Sequence, residues 1–482
     1  MGGKRITGVL SEDYRLFLIE ALAHGQKGNA DLCSYFFLRA HQLLGLQKRF
    51  GLLATNTIAQ GDTREVGMDQ LVASGAVIDR AWSSRPWPGV ANLYVAVVWI
   101  HKGKWNGLAE LDEKPADGIT AFLLPAAKEE RKPFRLAQNE GIAFQGSNIR
   151  GRGFILTSEQ REQMLSANPK NQAVISPYLT GEDLNTRPDQ SPGRFVINFY
   201  DWEREQAEQY HEPFELVRRT VLPEREKITH AASREKCVKY FWRYDALAKG
   251  LYAAISGLNE VLLTARVSPS CAIATSKTGC VFYETLIVFV LPIHWGFALL
   301  QSSIHWEWVR KYTGTFGATT LRYTASDCFD TFPLPPRQSE LGQVGQRYLR
   351  ERTRSFQASG MGLTEGYNRF HDRGEQSADI ARLRALHVEM DQAVAAAYGW
   401  SDLDLGHGFH ATKQGERYTL SESARRTVLD RLLALNHQRH AEELAAGLHE
   451  KGSKKGTKPR SHNSAAAPPM GLVAAPQADL FG

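Results

Sequence analysis

Cysteine is scarce in this chain: five residues in 482, an odd number, with no two at C-x-x-C spacing. Disulfide scaffolds and zinc sites need paired or clustered thiols. Cys33, Cys237, Cys271, Cys280 and Cys328 are therefore expected to be reduced and mostly buried, as in a cytoplasmic protein. Net charge is nearly missing as well. The formal charge is +6, but the stretch from Lys451 to Gly482 holds five Lys or Arg against one Asp and supplies +4 of it. The remainder is close to neutral, so bulk charge alone is a weak argument for a nucleic-acid partner. A long uninterrupted apolar run is lacking too. Val281 to Leu300 is the nearest candidate, and Glu284, Pro292 and His294 break it. It reads as a buried strand (Val281 to Val290) and a helix from Trp295, with no membrane span. Met1-Gly-Gly-Lys-Arg5 is followed by no apolar segment, which excludes a secretory leader from the expectation. No internal repeat stands out.

What is present is ordinary globular composition, 43% hydrophobic and 23% charged, long enough for two or three cores. Helical spacing covers Asp13 to Ala23, Ala30 to Leu44 and Arg64 to Ser74; Gly51 to Thr55, Ala76 to Ala81 and Leu93 to Ile100 read as strands. The helix Ala30 to Leu44 feeding the apolar strand at Gly51, whose end opens into a polar loop, is the arrangement by which open α/β sheets place ligands at their carboxyl edge. Such a sheet needs strands before this one, and few residues precede it. The expectation is the second half of an enzyme fold. Ser84-Arg-Pro-Trp-Pro-Gly89 is too rich in proline for a strand and reads as a rigid loop. Strands joined by so short a loop run antiparallel, whereas the helix between Thr55 and Ala76 permits a parallel crossover. A mostly parallel sheet closing on an antiparallel hairpin is the end of a class I methyltransferase fold. Pro133 to Pro336 mixes short strands (Arg194 to Phe199, Val261 to Val267) with aromatic clusters and reads as a second α/β domain. Ser339 to His449 is mostly helical, clearest over Ala381 to Tyr398 and Ala424 to Leu448. Lys451 to Pro476 is low-complexity sequence that cannot bury a core.

Asn29-Ala-Asp-Leu-Cys-Ser-Tyr-Phe-Phe-Leu-Arg-Ala40 with Gly51-Leu-Leu-Ala-Thr-Asn-Thr-Ile-Ala-Gln60 resembles the region after the catalytic motif of adenine-specific DNA methyltransferases. More specifically it is similar to the MmeI-like enzymes, types IIG and IIL, in which nuclease, methyltransferase and target recognition domain share one polypeptide. Ser176-Pro-Tyr-Leu-Thr-Gly-Glu-Asp-Leu-Asn185, Arg187-Pro-Asp-Gln190, Arg194-Phe-Val-Ile-Asn-Phe-Tyr-Asp-Trp202, Leu299-Leu-Gln-Ser-Ser303 and Arg322-Tyr-Thr-Ala-Ser-Asp-Cys-Phe-Asp-Thr-Phe-Pro333 continue the match to about residue 450. The resemblance implies an α/β protein in four parts. Residues 1–110 are the carboxyl-terminal half of a Rossmann-like methyltransferase domain and 111–337 a mixed α/β target recognition domain. A helical region, 338–450, and a disordered basic tail, 451–482, follow. The departures are as specific as the matches. The family's Asn-Pro-Pro-aromatic tetrapeptide belongs just before Gly2 and occurs nowhere in this sequence; nor do the glycine-rich turn for S-adenosylmethionine and the acidic residue for its ribose. Pro188-Asp189 has no Glu-x-Lys within the next fifty residues, so the nuclease pattern is missing as well. S-adenosylmethionine is expected to bind only with the missing half supplied.

The resemblance also implies roles for individual residues. Adenine methylation extrudes the base from the duplex, and Trp87, in the loop of the last hairpin, occupies the place where the family stacks it. Phe36 falls where the family packs an aromatic near the cofactor's adenine, with Asp31 beside it; as a plain helical aromatic Phe36 would instead be core. Asn56 and Gln60 stand at the carboxyl end of their strand. Between Arg131 and Lys170 there are seven basic and three acidic residues, with glycines flanking Arg152 that would let backbone approach phosphate. Arg152, Arg187, Arg194, Lys311 and Arg322 are the candidate contacts to double-stranded DNA. His407-Gly-Phe-His410 reads as a capped loop rather than a metal site. Gln477-Ala-Asp-Leu-Phe481 resembles the short peptide that docks on a bacterial replication sliding clamp. The competing reading of the whole is a specificity module or remnant without catalysis.

Overall fold

The structure is a computed structural model, and it describes residues 3–89, 93–126, 132–268, 272–316, 320–412 and 415–449. The first core gathers apolar residues from Ile6 to Leu123 around a five-stranded sheet: β1 (Arg49–Thr55), β2 (Ala76–Pro86), β3 (Tyr94–Lys102), β4 (Ala109–Leu111) and β5 (Lys114–Ala116), in the order β1-β3-β2-β4-β5. The helix Leu32–Leu43 covers one face, burying Tyr35, Phe37 and Leu38, with Phe37 set edge-on to Phe50 of β1. Gly51 is required by packing: a Cβ there would stand 2.7 Å from the Trp99 ring on β3.

Three expectations are corrected here. The sheet is not mostly parallel: β1 and β2 run in the same direction, as the crossover permits, but β3 lies between them, antiparallel to both. Among the described strands of this sheet, β2 and β4 form the parallel pair. The proline-rich loop is strand as far as Pro86, which pairs with Tyr94. Pro86 is tolerated because β4 takes only Arg80 and Ala81 of β2, so the missing N–H falls on an open edge. The helix expected over Arg64 to Ser74 is two short ones, Gly61–Val66 and Met68–Ala73, broken at Gly67, where a Cβ would meet Ser34 at 2.9 Å.

Beyond residue 132 two further cores form. One gathers Ile149 to Val281 around the sheet containing Ile175–Leu179 and Arg194–Ile197. The other runs from Leu179 to Leu433 around the sheet Ile273–Lys277, Glu260–Ala265, Leu286–Phe289 and Ala143–Gln145. The buried strand expected over Val281 to Val290 is two, Val281–Phe282 and Leu286–Phe289, split by a turn whose Leu286 N–H donates to Tyr283 O. The helix after Pro292 starts at Ile293, two residues earlier than expected. The mostly helical region also holds a hairpin, Gly408–Thr412 with Gly415–Thr419. The last helix, Glu422–Ala445, is fastened back onto the chain near residue 135. Asn436 bonds both N–H and C=O of Phe134, and Glu443 accepts from Ala137 and Gln138 N–H. Among the described residues no helix is long and apolar enough to cross a membrane. Cys33, Cys237, Cys280 and Cys328 are free thiols, and Cys271 lies outside the described residues. Burial pushes Cys33 up to about 12, which keeps it protonated.

The second edge of β1 carries no strand among the described residues, and Leu53 in its middle is 54% exposed. An unpaired edge leaves every other amide without a ladder partner. In native-state hydrogen exchange, Leu52 to Ala54 are therefore expected to exchange orders of magnitude faster than Val196 to Asn198, whose strand is paired on both sides. Equal protection of the two segments in the monomer would refute this.

Candidate functional site

The carboxyl ends of β1 and β2 open into a cleft of about 490 Å³. Asn56 and Gln60, from the turn after β1, line it together with Ser83 and Ser84 of β2, and Asn56 Nδ2 donates to Ser84 Oγ at 3.2 Å. Its far wall is the helix Ser303–Tyr312, which contributes Arg310 and Lys311, and the hairpin at His410 to Thr412 closes it. Beneath these, Arg64 stacks over the Phe122 ring at 3.9 Å while pairing with Glu65 and Asp69. Glu307, 3% exposed, accepts from Arg310. Trp87, three residues past Ser84, stands near the hairpin tip, 40% exposed, its backbone N–H donating to Leu93 O.

A second groove, about 570 Å³, is lined by Arg150, Arg152, Tyr178, Arg194, Tyr283 and Thr285 among others. A chain of backbone neighbours joins it to the cleft. Thr313, beside Lys311, donates to Arg322 O; Tyr323 N–H donates to Arg266 O, and Arg266 N–H to Thr285 O. Lys311 thus lines the cleft, Arg152 and Arg194 line the groove, and Arg322 lies on the backbone link between them. Arg322 and Arg152 are exposed. Arg194 lies over the Tyr178 ring at 5.9 Å, 4.0 Å from Glu182. Arg187 is set slightly apart, on the loop before Arg194, 3.6 Å from Asp189. Surface pairs of this length are worth about 0 to 1 kcal/mol, so an incoming phosphate can take either guanidinium at small cost.

The glycines beside Arg152 do not serve backbone approach to phosphate. A Cβ on Gly153 would stand 1.8 Å from Thr220 Oγ1 and one on Gly151 2.8 Å from Val221, so both are needed to pack this loop on the helix His211–Glu226. The same helix sends Arg225, 2% exposed, to the carbonyls of Ile149 and Arg150 at 3.0 Å each. Phe36 is not core either: it is 63% exposed while Tyr35 and Phe37 are buried. Asp31 precedes the first turn of that helix and donates its N–H to Thr63 Oγ1 at 3.0 Å. One exposed ring and one carboxylate make at most one wall for S-adenosylmethionine, and with no glycine-rich turn in the sequence the residues present do not form a cofactor site.

Sequence reading missed a buried polar cluster behind the cleft. Ser303 Oγ lies 2.9 Å from His387 Nε2, Ser303 N–H donates to Asp391 Oδ1 at 2.8 Å, and His407 Nε2 meets Asp391 Oδ2 at 2.8 Å. It is not a nucleophilic triad. Asp391 and Ser303 both face His387 Nε2, whereas a relay needs the carboxylate on Nδ1. His410 bonds Gly406 O, so the two histidines of His407-Gly-Phe-His410 bind different partners. No group of metal ligands forms among the described residues. Spacing gives no hint of the cluster, because its members come from three distant stretches of chain.

Comparison with known proteins decides what this surface is part of. Residues 128–336 match the family described as MmeI, target recognition domain. This segment is similar to an MmeI target recognition domain. Among solved structures the chain is similar to the type IIL restriction-modification enzyme MmeI in complex with DNA. The TM-score is 0.68 at 14% identity, over 89% of this chain and 55% of that one. The fold is thus shared, and the chain spans about half the length of that relative. The type IIG restriction endonuclease BpuSI aligns over 80% of this chain and 53% of its own, at 10% identity and a TM-score of 0.26, too low to bear on the fold. No curated protein matches. The matched segment contains Arg152, Arg187, Arg194, Lys311 and Arg322 and all of the groove between Asn148 and Thr285.

Proposed function

We propose that this chain reads a duplex DNA sequence and supplies target recognition and base support to an adenine-specific, S-adenosylmethionine-dependent methyltransferase of a restriction-modification system. The observation that carries it is the match of residues 128–336 to an MmeI target recognition domain, with Arg152 and Arg194 in one groove and Lys311 in the cleft at the carboxyl edge of the sheet. In this reading residues 1–110 are the end of the catalytic sheet, β3 lying antiparallel between two strands of common direction as in a class I methyltransferase. Residues 111–337 recognise DNA and 338–450 brace them. The free edge of β1 awaits the remaining catalytic half, which brings the cofactor site. A docking peptide at Gln477 to Phe481 lies outside the described residues. The absence of Asn-Pro-Pro favours a second reading, a DNA-specificity module without catalysis. Selection of bound sequences from a random duplex pool tests what the two readings share: a recurrent motif is expected, and a pool that stays random would refute both.

Trp87 tests the base-support part of the first reading. If it supports an extruded base, Trp87→Ala in the completed enzyme lowers methylation at saturating DNA by about 5- to 150-fold, the equivalent of one lost stacking contact of about 1 to 3 kcal/mol. Duplex affinity should stay within about twofold. Unchanged turnover would make Trp87 a packing residue of the hairpin.

A further inference from the structure

Four acidic residues line the groove that also holds Arg150, Arg152 and Arg194. Three of them are engaged. Asp245 pairs with Arg150 at 3.1 Å, Glu224 accepts the Arg152 N–H at 3.1 Å, and Glu182 stands 4.0 Å from Arg194. The fourth, Glu284, forms no ion pair among the described residues. Arg266, whose N–H donates to Thr285 O, is close enough for the Glu284 charge to act on it but does not pair with it. Glu284 sits in the turn between the strands Val281–Phe282 and Leu286–Phe289. Its N–H donates to Ser147 O at 2.9 Å, and its carbonyl accepts from Gln145 Nε2 at 3.0 Å. These bonds hold the turn without the carboxylate, which is half-buried and faces the groove. Burial raises the Tyr283 hydroxyl, and the Glu284 charge and a hydrogen bond to it raise it further, so the phenol keeps its proton and orients the acid. A carboxylate has about four acceptor positions, and one phenol fills one of them.

On a surface that meets phosphates, an acid with no cation beside it repels the whole ligand. That cost is offset where the acid meets a hydrogen-bond donor. In the major groove of a duplex the donors are the exocyclic amines of cytosine and adenine. The adenine amine lies between two acceptors, its own N7 and thymine O4, and both oppose a carboxylate. The cytosine N4 amine has an acceptor, guanine O6, on one side only. A carboxylate with free lone pairs on a rigid turn therefore suits cytosine.

We propose that Glu284 is a base-reading residue, whose carboxylate accepts from the N4 amine of one cytosine in the recognised duplex. The inference rests on the DNA-recognition reading, and the experiment separates their failures. The full chain and its Glu284→Gln and Glu284→Arg variants each select duplexes from a random pool. Affinities for the parent's motif, for the motif with its cytosine replaced, and for a scrambled duplex are then measured at one salt concentration. The parent is expected to fix a C·G pair at one position, and replacing it should cost the parent about 5- to 150-fold in affinity. Glu284→Gln should lose that preference while every other position stays fixed. Having one negative charge fewer, it should bind the scrambled duplex at least as tightly as the parent does. Glu284→Arg should exchange the cytosine for guanine, whose O6 and N7 accept from a guanidinium. A parent pool that stays random would overturn the DNA-recognition reading and this one with it. A motif with no fixed C·G pair, or one that both variants retain, would overturn this inference alone. So would an affinity that Glu284→Gln raises or lowers equally on motif and scrambled duplex, which would leave Glu284 a charge or a packing residue.

Discussion

Purified by itself, the chain is expected to leave DNA unmethylated in the presence of S-adenosylmethionine. The cofactor of an open α/β sheet is held where a glycine-rich turn lets backbone N–H groups and a helix N-terminus approach it, with an acidic residue on the ribose. The sequence supplies neither, nor the Asn-Pro-Pro tetrapeptide. What it supplies is one exposed ring, Phe36, one carboxylate, Asp31, and a cleft lined by Asn56 and Gln60. Positioning and electrostatics account for most of a rate enhancement that reaches many powers of ten. Losing half of the constellation is therefore an all-or-none effect. Incorporation of labelled methyl groups should stay at background and rise when a polypeptide carrying the glycine-rich turn and Asn-Pro-Pro is added. Robust incorporation by the isolated chain would sink this account of the site.

The second large effect is on stability. Asp391 is fully buried and accepts from Ser303 N–H and His407, so it ties the helix Ala378–Ala397 to the helix Ser303–Tyr312 and to the turn before the Gly408–Thr412 hairpin. Burial pushes its carboxyl up, yet His387, His407 and Ser303 outweigh that and hold it below the usual range. Removing one partner of such a cluster leaves the others buried and unmatched, a loss of about 3 to 5 kcal/mol. That is a large share of a net stability of roughly 5 to 15 kcal/mol. Asp391→Ala should lower Tm by roughly 3 to 5 °C; calorimetry showing less than about 1 °C would mean the cluster is incidental. A depressed carboxyl stabilises the fold above its unfolded pKa and ceases to as pH falls through the folded one. The gap between parent and variant should accordingly narrow below about pH 4.

The parts legible in the sequence were those written in short-range pattern. The helix before β1, the hairpin at Trp87 and the breaks at Pro292 were readable because periodicity and proline chemistry act over a few residues. What escaped depended on neighbours far along the chain. The place of β3 between β1 and β2 is a pairing choice that neither strand's composition encodes. Gly151 and Gly153 looked like openings for phosphate because a sequence cannot show Thr220 and Val221 filling the space. Phe36, by contrast, reads as core by its helical spacing, and its exposure on the helix Leu32–Leu43 is informative because it breaks that rule.

The fastening of Asn436 and Glu443 onto residues 134 to 138, and the core that runs unbroken from Leu179 to Leu433, bear on how such a protein changes its target. A recognition segment transplanted whole into another scaffold would be cut through its own interior, leaving Leu299, Phe329 and Phe332 facing foreign packing partners. Under the proposed function, a change of recognised sequence is expected from exchanging side chains along the groove between Arg152 and Thr285, where the surface can vary while the interior stays as it is. The architecture favours evolution by point replacement over evolution by shuffling of modules.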